Sequence, residues 1–310
     1  MLSVIRTRLL LAIPTLLAVS FITFFLGYLA PGSPIDIMLG QHADPAIRKQ
    51  LEHEYGLDRP PLVQYGHFLW NALHGDLGRS FSNAGRPVTQ MIREQFPVTA
   101  LLATLALATA MLLGVPAGIL AAVYHNRLLD RMTMGFVLLF ISVPAFVLGP
   151  ILMLIFALRL SWLPSSGWEG PAYFVMPTLV LAARPAALLA RLMRSSMLEV
   201  IRQDYIRTAY AKGLSSVRVL FKHALKNAFL PVLTAIGNTF GYLLSGSFVV
   251  ETLFHVPGIG YESIQSILRR DYPVIQGVAL LVATLFILVN LVVDILYAVI
   301  DPRVRYEEVH

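Results

Sequence analysis

Residues 194–231 read RSSMLEVIRQDYIRTAYAKGLSSVRVLFKHALKNAFLP, a basic stretch with helical patterning that lies between two long apolar runs. It contains seven Lys or Arg residues and only two acidic residues. Because membrane-length apolar runs flank it on both sides, this charged stretch is expected to lie outside the bilayer, in the aqueous phase. Its positive charge predicts that it lies on the cytoplasmic side. We therefore expect an ordered cytoplasmic segment that serves as a docking surface for another protein.

The composition is that of an integral membrane protein. Of the 310 residues, 56% are hydrophobic and 14% are charged, whereas a soluble domain carries about 25% charged residues. The apolar runs are each about 20 residues long, which favours membrane-spanning helices over barrel strands. The net charge of +6 comes from cations that cluster beside these runs. We attribute it to the positive-inside rule and expect no nucleic-acid partner.

Six apolar runs are predicted to cross the membrane, at about 9–29, 98–123, 134–158, 174–193, 229–250 and 274–300. Six crossings place both termini on the same side. The segments assigned to that side hold 14 Lys or Arg residues, and the opposite segments hold nine, six of them in the long loop 30–97. Because long loops translocate largely regardless of charge, we predict that both termini and the segment 194–228 are cytoplasmic and that the loop is external.

The external loop 30–97 is predicted to be structured. Asp44-Pro45 has the residue types of an N-cap followed by proline at the first helical position, and Gly56 suits a C-terminal cap. The run 62–73 is amphipathic and rich in aromatic residues, so we expect a helix that lies flat at the outer interface. A third short helix is predicted over 88–96.

No constellation of catalytic residues is visible. None of the four lysines precedes Ser or Thr, so the chain lacks a Walker A loop and is not expected to hydrolyse ATP through one. The motifs H-E-x-x-H and G-x-S-x-G are absent, there are no cysteines, and the eight histidines lack the spacing of metal ligands. We therefore predict that the chain is not an enzyme and contains no catalytic residue, metal site or cofactor of its own.

Arg184 lies near the middle of the fourth predicted span, beside Pro185. An arginine at this depth costs at least about 2.5–3.5 kcal/mol, so a compensating group is expected. One explanation is a cavity-facing cation that meets a substrate carboxylate. The other is a structural cap for the carbonyl groups that the proline leaves unbonded.

Two acidic residues near span ends are further candidates for lining a pathway. Asp294 lies four residues after Asn290 on one face of the sixth predicted span, which suits a hydrogen bond between helices or a proton relay. Glu251 follows the fifth predicted span and precedes HVPGIG (255–260), whose proline and glycines force a tight turn. This turn fits either a re-entrant element near the pathway mouth or a simple connection.

Within 194–231 the spacing predicts two short helices joined at Lys212-Gly213-Leu214. Apolar residues share one face before the glycine, and another apolar stripe begins after it at Val217 and Phe221. Such a hairpin can transmit a push from a bound partner into the adjoining spans. The same pattern also suits an amphipathic linker that only touches anionic lipid.

The stretch DYIRTAYAKGLSSVRVLFKHALKNAFLPV (204–232) resembles the cytoplasmic loop of ABC importer permeases, in which a short coupling helix docks into a groove on the ATPase. More narrowly, the chain resembles the permeases of dipeptide, oligopeptide, glutathione and nickel importers. The other matching stretches are IPTLLAVSFITFF with APGSP (13–34), YGLDRPPLVQYGHFLWNALHGDLGRSF (55–81), RPV (86–88), WLPSSG (162–167), RSSMLEV (194–200), ETLFHVPGIG (251–260), RDYPVIQG (270–277) and NLVVDILYAVIDPRVRY (290–306). The long external loop resembles that of the B-type partner of the permease pair.

This resemblance implies an all-α integral membrane protein, a single permease domain over 1–310. The expected fold has six transmembrane helices, like a type I ABC importer permease, with a structured periplasmic loop and a cytoplasmic coupling-helix hairpin. The implied partners are a homologous second permease, two ABC ATPase subunits that bind ATP and Mg²⁺, and a periplasmic solute-binding protein. The chain is then expected in the lipid bilayer of the bacterial inner membrane.

The family motif assigns ATPase docking to Ala209, Ala211, Lys212, Gly213, Leu214 and Ser215. The usual E-A-A opening of this motif is Thr208-Ala209-Tyr210 here, so the contacts of individual residues do not follow from it. The expected function is ATP-driven import of di- or oligopeptides or related small ligands. The alternatives are a nickel, metal-chelate or glutathione importer and, from another class, a channel or regulatory protein without ATP coupling.

Overall fold

A computed structural model describes residues 2–29, 35, 44–54, 56–83, 85–245 and 247–300 of the chain. Its helices are α1 (Leu2–Leu29), α2 (Pro45–Glu54), α3 (Pro61–Leu73), α4 (Val88–Val123), α5 (Leu128–Ser142), α6 (Ala145–Arg159), α7 (Pro171–Ile201), α8 (Asp204–Ala211), α9 (Ser216–Leu244), α10 (Phe248–Phe254), α11 (Ile259–Leu268) and α12 (Tyr272–Ile300). The chain forms two compact units. The first unit comprises Leu2–Ala100 and Ser245–Leu288, and the second comprises Leu101–Leu244 with the described residues from Val289 onward.

Within the described ranges, α1, α4, α7, α9 and α12 are long and apolar enough to cross a membrane. The third predicted span, 134–158, is not one helix, because α5 and α6 meet at an angle of 103°. Pro144 lacks a backbone N–H, and Val143 before it is extended (φ −85°, ψ 117°), as expected for a residue that precedes proline. If this bent pair is counted as one span, the fold has the six crossings that the sequence predicts.

Two predicted boundaries are shifted. The fifth span begins earlier than expected, at Ser216, and ends at Leu244, so the last predicted residues form the separate helix α10. The short helix predicted over 88–96 is instead the start of α4, which continues through Pro97. Burial of Val88 and Met91 in the core of the first unit contributes about 1.5–3 kcal/mol per side chain. This offsets the roughly 3 kcal/mol cost of a proline inside a helix.

The helices predicted in the first loop are present as α2 and α3. The Asp44 carboxylate accepts the N–H of Ala46 at 2.8 Å, and Gly56 adopts φ +66°, as the two predicted caps require. On α3, the Tyr65 hydroxyl lies 2.9 Å from the hydroxyl of Ser20 on α1. Trp70, on the opposite face of α3, is 64% exposed. The placement of this face at the outer interface of the membrane stays a prediction.

In the second unit, the part of α4 from Leu101 onward is in direct backbone contact with α7. A Cβ atom at Gly114 would lie 2.3 Å from the carbonyl oxygen of Ala186, and one at Gly118 would lie 2.4 Å from that of Ala190. Small residues four apart on both helices therefore permit the close approach that is common between membrane helices. Both glycines lie within the second predicted span.

Candidate functional site

The predicted docking hairpin consists of α8, a turn at residues 212–215 and the first turns of α9. Gly213 adopts φ +80°, its N–H donates to the Tyr210 carbonyl at 2.9 Å, and the Leu214 N–H donates to the Ala209 carbonyl at 3.4 Å. These two bonds form a Schellman motif, in which the left-handed position favours glycine. The predicted helix break at Gly213 is confirmed, and its cause is a specific C-terminal cap.

One face of α8 is fixed to the rest of the second unit. Ile206 and Ala209 are 1% and 7% exposed, and α8 packs against the π-helical segment of α9, Val219–Ala224. Beside these contacts, the Asn227 amide donates a hydrogen bond to the Tyr205 hydroxyl at 2.8 Å. The start of α9 is therefore the element that α8 contacts directly.

The opposite face of α8 and the turn are accessible. Of the six predicted docking residues, Ala211, Lys212, Gly213 and Ser215 are exposed and Leu214 is half-buried. Ala209 differs from the prediction, because its side chain packs inward and is not available to a partner. The structure adds Tyr210 (44% exposed) and Phe221 (61% exposed) as apolar groups at this surface.

An ion pair anchors α7 two turns before it ends. Arg194 donates to both carboxylate oxygens of Asp130, from Nε at 2.7 Å and from Nη2 at 2.8 Å. The Asp130 side chain is only 4% exposed and also accepts the backbone N–H of Asn126 at 2.9 Å. His125 Nδ1 lies 3.1 Å from Arg194 Nη2. The short connection between α4 and α5 is thereby tied to the helix that leads into α8.

Sequence reasoning missed the role of Asp130. The available signal is that Asp130 is the one acidic residue between positions 124 and 158, where the other charged residues are Arg127 and Arg131. An isolated acid beside a membrane helix needs a cationic partner. The sequence, however, offers many basic residues and does not indicate that Arg194 is the one that pairs with it.

Arg184 is exposed on α7. Among the residues that the structure describes, it has no hydrogen-bond or ion-pair partner, so the proposed cap of the Pro185 kink is not formed there. It lies on the face of α7 that also exposes Leu188, Arg191 and Ser195. Asp294 is half-buried on α12. Whether Arg184 and Asp294 line a pathway stays a prediction.

Glu251 is fully buried in the first unit. Its carboxylate accepts hydrogen bonds from the Gly260 N–H at 2.7 Å, the Tyr261 N–H at 3.1 Å and the Thr99 hydroxyl at 3.1 Å. Burial raises the pKa of this carboxyl, whereas the donors around it favour the charged form. In the described chain Glu251 is enclosed and holds α10 and α11 together. Its predicted place in the lining of a pathway stays a prediction.

A second buried carboxylate, Asp271, ties the segment after α3 to the start of α12. Asp271 accepts the N–H groups of Phe81 and Ser82, each at 3.0 Å, and the hydroxyls of Ser80 and Ser82 at 2.5 and 2.6 Å. These hydrogen bonds hold together the stretches GRSF (78–81) and RDYP (270–273), which are far apart in the sequence. Sequence reasoning identified both stretches but gave no reason to pair them.

Comparison with known proteins agrees with this architecture. The family described as "Binding-protein-dependent transport system inner membrane component" matches residues 114–306, and the N-terminal family of the same transport systems matches residues 1–103. The chain is 43% identical to the glutathione transport system permease protein GsiC of Escherichia coli (strain K12), over 99% of this chain and 100% of that protein. It is 44% identical, with the same coverage, to GsiC of Salmonella typhimurium.

Solved structures support the fold. A chain of the MetNI methionine ABC transporter, in an inward-facing conformation, superposes with a TM-score of 0.59 at 20% identity, covering 68% of this chain and 97% of that one. An amino acid ABC transporter superposes with a TM-score of 0.51 at 19% identity, covering 69% and 94%. The family matches span nearly the whole chain and confirm the resemblance seen in the sequence. The chain therefore belongs to the binding-protein-dependent transport system inner membrane components, and it is a transmembrane permease subunit of an ABC importer.

Proposed function

We propose that this permease imports short peptides, glutathione among them, and that ATP drives it through α8. Two ABC ATPase subunits would bind ATP and Mg²⁺, a second homologous permease would complete the pathway, and a periplasmic solute-binding protein would deliver the cargo. The chain would lie in the bacterial inner membrane with both termini in the cytoplasm, as the distribution of Lys and Arg predicts. We assign it no cofactor of its own.

The observation that carries this proposal is that one side of α8 is packed against the rest of the protein while the opposite side is exposed. Ile206 and the Tyr205–Asn227 hydrogen bond fix one side of α8 to α9, while Tyr210 and Lys212 remain exposed on the other. Because packed interiors are nearly incompressible, a movement imposed on the exposed side reaches α9 without being absorbed. ATP binding then shifts the permease between conformations through the differential affinity of the ATPase pair for them.

The proposed cargo rests on two observations. The first is the similarity to GsiC over the whole length of both proteins, since glutathione is itself a short peptide. The second is Arg184, an exposed cation on a helix long enough to span the membrane. A guanidinium group matches the geometry of a peptide carboxylate. Nickel and metal chelates remain alternative cargoes from the family resemblance.

The experiment that tests this proposal is uptake into vesicles containing both permeases and both ATPases, with the solute-binding protein outside. We expect labelled glutathione or a dipeptide to accumulate only when ATP is enclosed, and nickel not to accumulate. Equal entry of cargo without ATP would favour a channel and contradict the proposal. Preferential accumulation of nickel would overturn the proposed cargo but leave the ATP coupling intact.

Arg184 provides a sharper test of the cargo. Its replacement by glutamine removes the charge and keeps a polar side chain, and Arg191→Gln on the same face of α7 is the matched control. If Arg184 meets a carboxylate, Arg184→Gln should reduce the preference for a dipeptide with a free C-terminus over the same dipeptide with an amidated C-terminus. An unchanged preference would exclude this role for Arg184.

A further inference from the structure

The first unit contains a cleft of about 530 Å³, and none of its lining residues belongs to α8. It lies between the α2–α3 pair, the end of α1 and the first turns of α12, and all of its lining residues belong to this unit. Aromatic rings form much of its walls, among them Phe24, Tyr28 and Phe68. The polar lining groups include Arg59, His67, Tyr272 and Gln276.

Two residues of α12 that line this cleft carry polar groups without a hydrogen-bond partner in the described part of the chain. The hydroxyl of Tyr272 is buried and has no hydrogen-bond partner in the described part of the chain. Gln276, one helical turn later, is 9% exposed, and its amide likewise lacks a partner among the described residues. Since buried polar groups nearly always have hydrogen-bond partners in folded proteins, this pair indicates that a ligand completes the site.

The charged residues that line the cleft are Arg59 and Glu52, and Arg59 is the group that can bind an anion. Arg59 Nη1 lies 2.8 Å from His67 Nε2, and because a guanidinium can only donate, the histidine nitrogen accepts this hydrogen bond. Arg59 therefore keeps its full charge and its other donors. Of the acidic groups nearby, Glu52 is paired with Arg48 at 3.2 Å, and Asp58 is bonded to His53 at 2.8 Å. The hydrogen bond from His53 lowers the pKa of Asp58.

The position of the cleft indicates where the anion comes from. It adjoins the last turns of the span Arg6–Leu29 and the first turns of the span that starts at Tyr272, the depth at which lipid headgroups lie. Apolar side chains beside it point away from the protein, with Leu26 64%, Leu29 74% and Leu73 81% exposed. A phospholipid matches all of these features, because it joins a phosphate to ester carbonyls and acyl chains.

We propose that this cleft binds the headgroup of a phospholipid from the adjacent leaflet. In this arrangement Arg59 pairs with the phosphate, Tyr272 and Gln276 donate to the ester or phosphate oxygens, and the acyl chains follow the exposed leucines of α1. The site does not depend on the identity of the transported cargo. It would fix the α2–α3 pair to the membrane surface.

The test measures lipid binding to the purified complex of this chain with its partner subunits, using phosphatidylglycerol that carries a label on an acyl chain. Arg59→Gln and the double variant Tyr272→Phe/Gln276→Leu should each weaken binding by about tenfold, as expected for the loss of charge-assisted or buried hydrogen bonds. Arg93→Gln is the matched control, because Arg93 is exposed and does not line the cleft. Wild-type affinity in both cleft variants, or an equal loss in Arg93→Gln, would overturn the proposal.

Two competition experiments on the wild-type complex do not depend on the folding of any variant. Unlabelled diacylglycerol, which has the same chains without a phosphate, should compete about tenfold less well than phosphatidylglycerol. Equal competition would contradict recognition of the phosphate. A soluble dipeptide with a free carboxylate should not displace the labelled lipid. Displacement by the dipeptide would assign the cleft to a transported solute and overturn the lipid site.

Discussion

The carboxylate of Glu251 accepts the backbone N–H of Gly260 at 2.7 Å and thereby caps helix α11 from the preceding helix. It also accepts the N–H of Tyr261, and Thr99 links the N–H of Ile259 to the same carboxylate. The first N–H groups of α11, which have no partner within the helix, are thus satisfied by two side chains. The stretch ETLFHVPGIG (251–260) therefore has a structural role, because its first residue caps the helix that begins near its end.

We predict that Glu251→Gln lowers the stability of the complex. Every group that faces the carboxylate is a donor, so an amide NH₂ would lie against other N–H groups, with an expected loss of about 1–3 kcal/mol. Thermal unfolding of the purified complex measures this loss. Glu199→Gln, at an exposed position on α7, is the control and should leave the unfolding temperature unchanged. A change in cargo preference at unaltered stability would instead support the pathway-lining role predicted for Glu251.

A substitution at Gly258 tests the same contact between Glu251, Thr99 and the start of α11 without removing a hydrogen-bonding group. A Cβ atom at this position would lie 2.5 Å from both a carboxylate oxygen of Glu251 and the hydroxyl oxygen of Thr99. We expect Gly258→Ala to separate these groups and to destabilise the complex by about 1–3 kcal/mol. Gly66→Ala on α3 is a suitable control, since nothing lies within 4 Å of its Cβ position. Equal unfolding temperatures for both variants would argue against tight packing of Gly258 against Glu251 and Thr99.

Much of this fold is predictable from local sequence. Apolar runs of sufficient length specify the spans, and Asp44, Gly56 and Gly213 specify helix ends through caps that depend on neighbouring residues alone. The bend between α5 and α6 is also encoded locally, at Pro144. Its size is not, because the angle depends on how the two helices pack after the break.

Hydrogen bonds and ion pairs between residues far apart in the sequence are not predictable in this way. Asp271 binds Ser80 and Ser82 across most of the chain, and Asp130 selects Arg194 from several nearby cations. A single sequence indicates that a buried acid needs a partner but does not identify the partner. The inward position of Ala209 was missed for a similar reason, since the face that α8 buries depends on its packing against α9.

The Asp130–Arg194 pair should stabilise the second unit. Asp130→Asn removes the charge that a 25% exposed Arg194 faces in a bidentate contact, and we expect a loss of roughly 3 kcal/mol, the lower end for a broken buried pair. The measurement is the unfolding temperature of the complex. Asp204→Asn is the control, because its pair with Arg207 is exposed and its atoms are 3.5 Å apart. Recovery of stability in Asp130→Arg/Arg194→Asp would show that the pair itself is responsible.

The contact between α4 and α7 predicts different effects for two helical glycines. At Gly118 an added methyl group would meet the Ala190 carbonyl and separate the helices, so Gly118→Ala should lower stability by about 1–3 kcal/mol. At Gly135 on α5 nothing lies within 4 Å of the Cβ position. Gly135→Ala should therefore be neutral or stabilising by up to about 1 kcal/mol. Similar losses of stability in both variants would contradict close packing as the cause.

Gly213 and Gly75 offer a matched test of the docking hairpin. Both adopt positive φ at the end of a helix, both donate within Schellman motifs, and neither has an atom within 4 Å of its Cβ position. Valine at either site should strain the turn by a similar 1–2 kcal/mol or so. If α8 is the docking element, Gly213→Val alone should weaken co-purification of the ATPase subunits and ATP-dependent uptake. Gly75→Val, in the turn after α3, should retain the ATPases. Loss of the ATPases in both variants would mean that general destabilisation, and not docking, explains the effect.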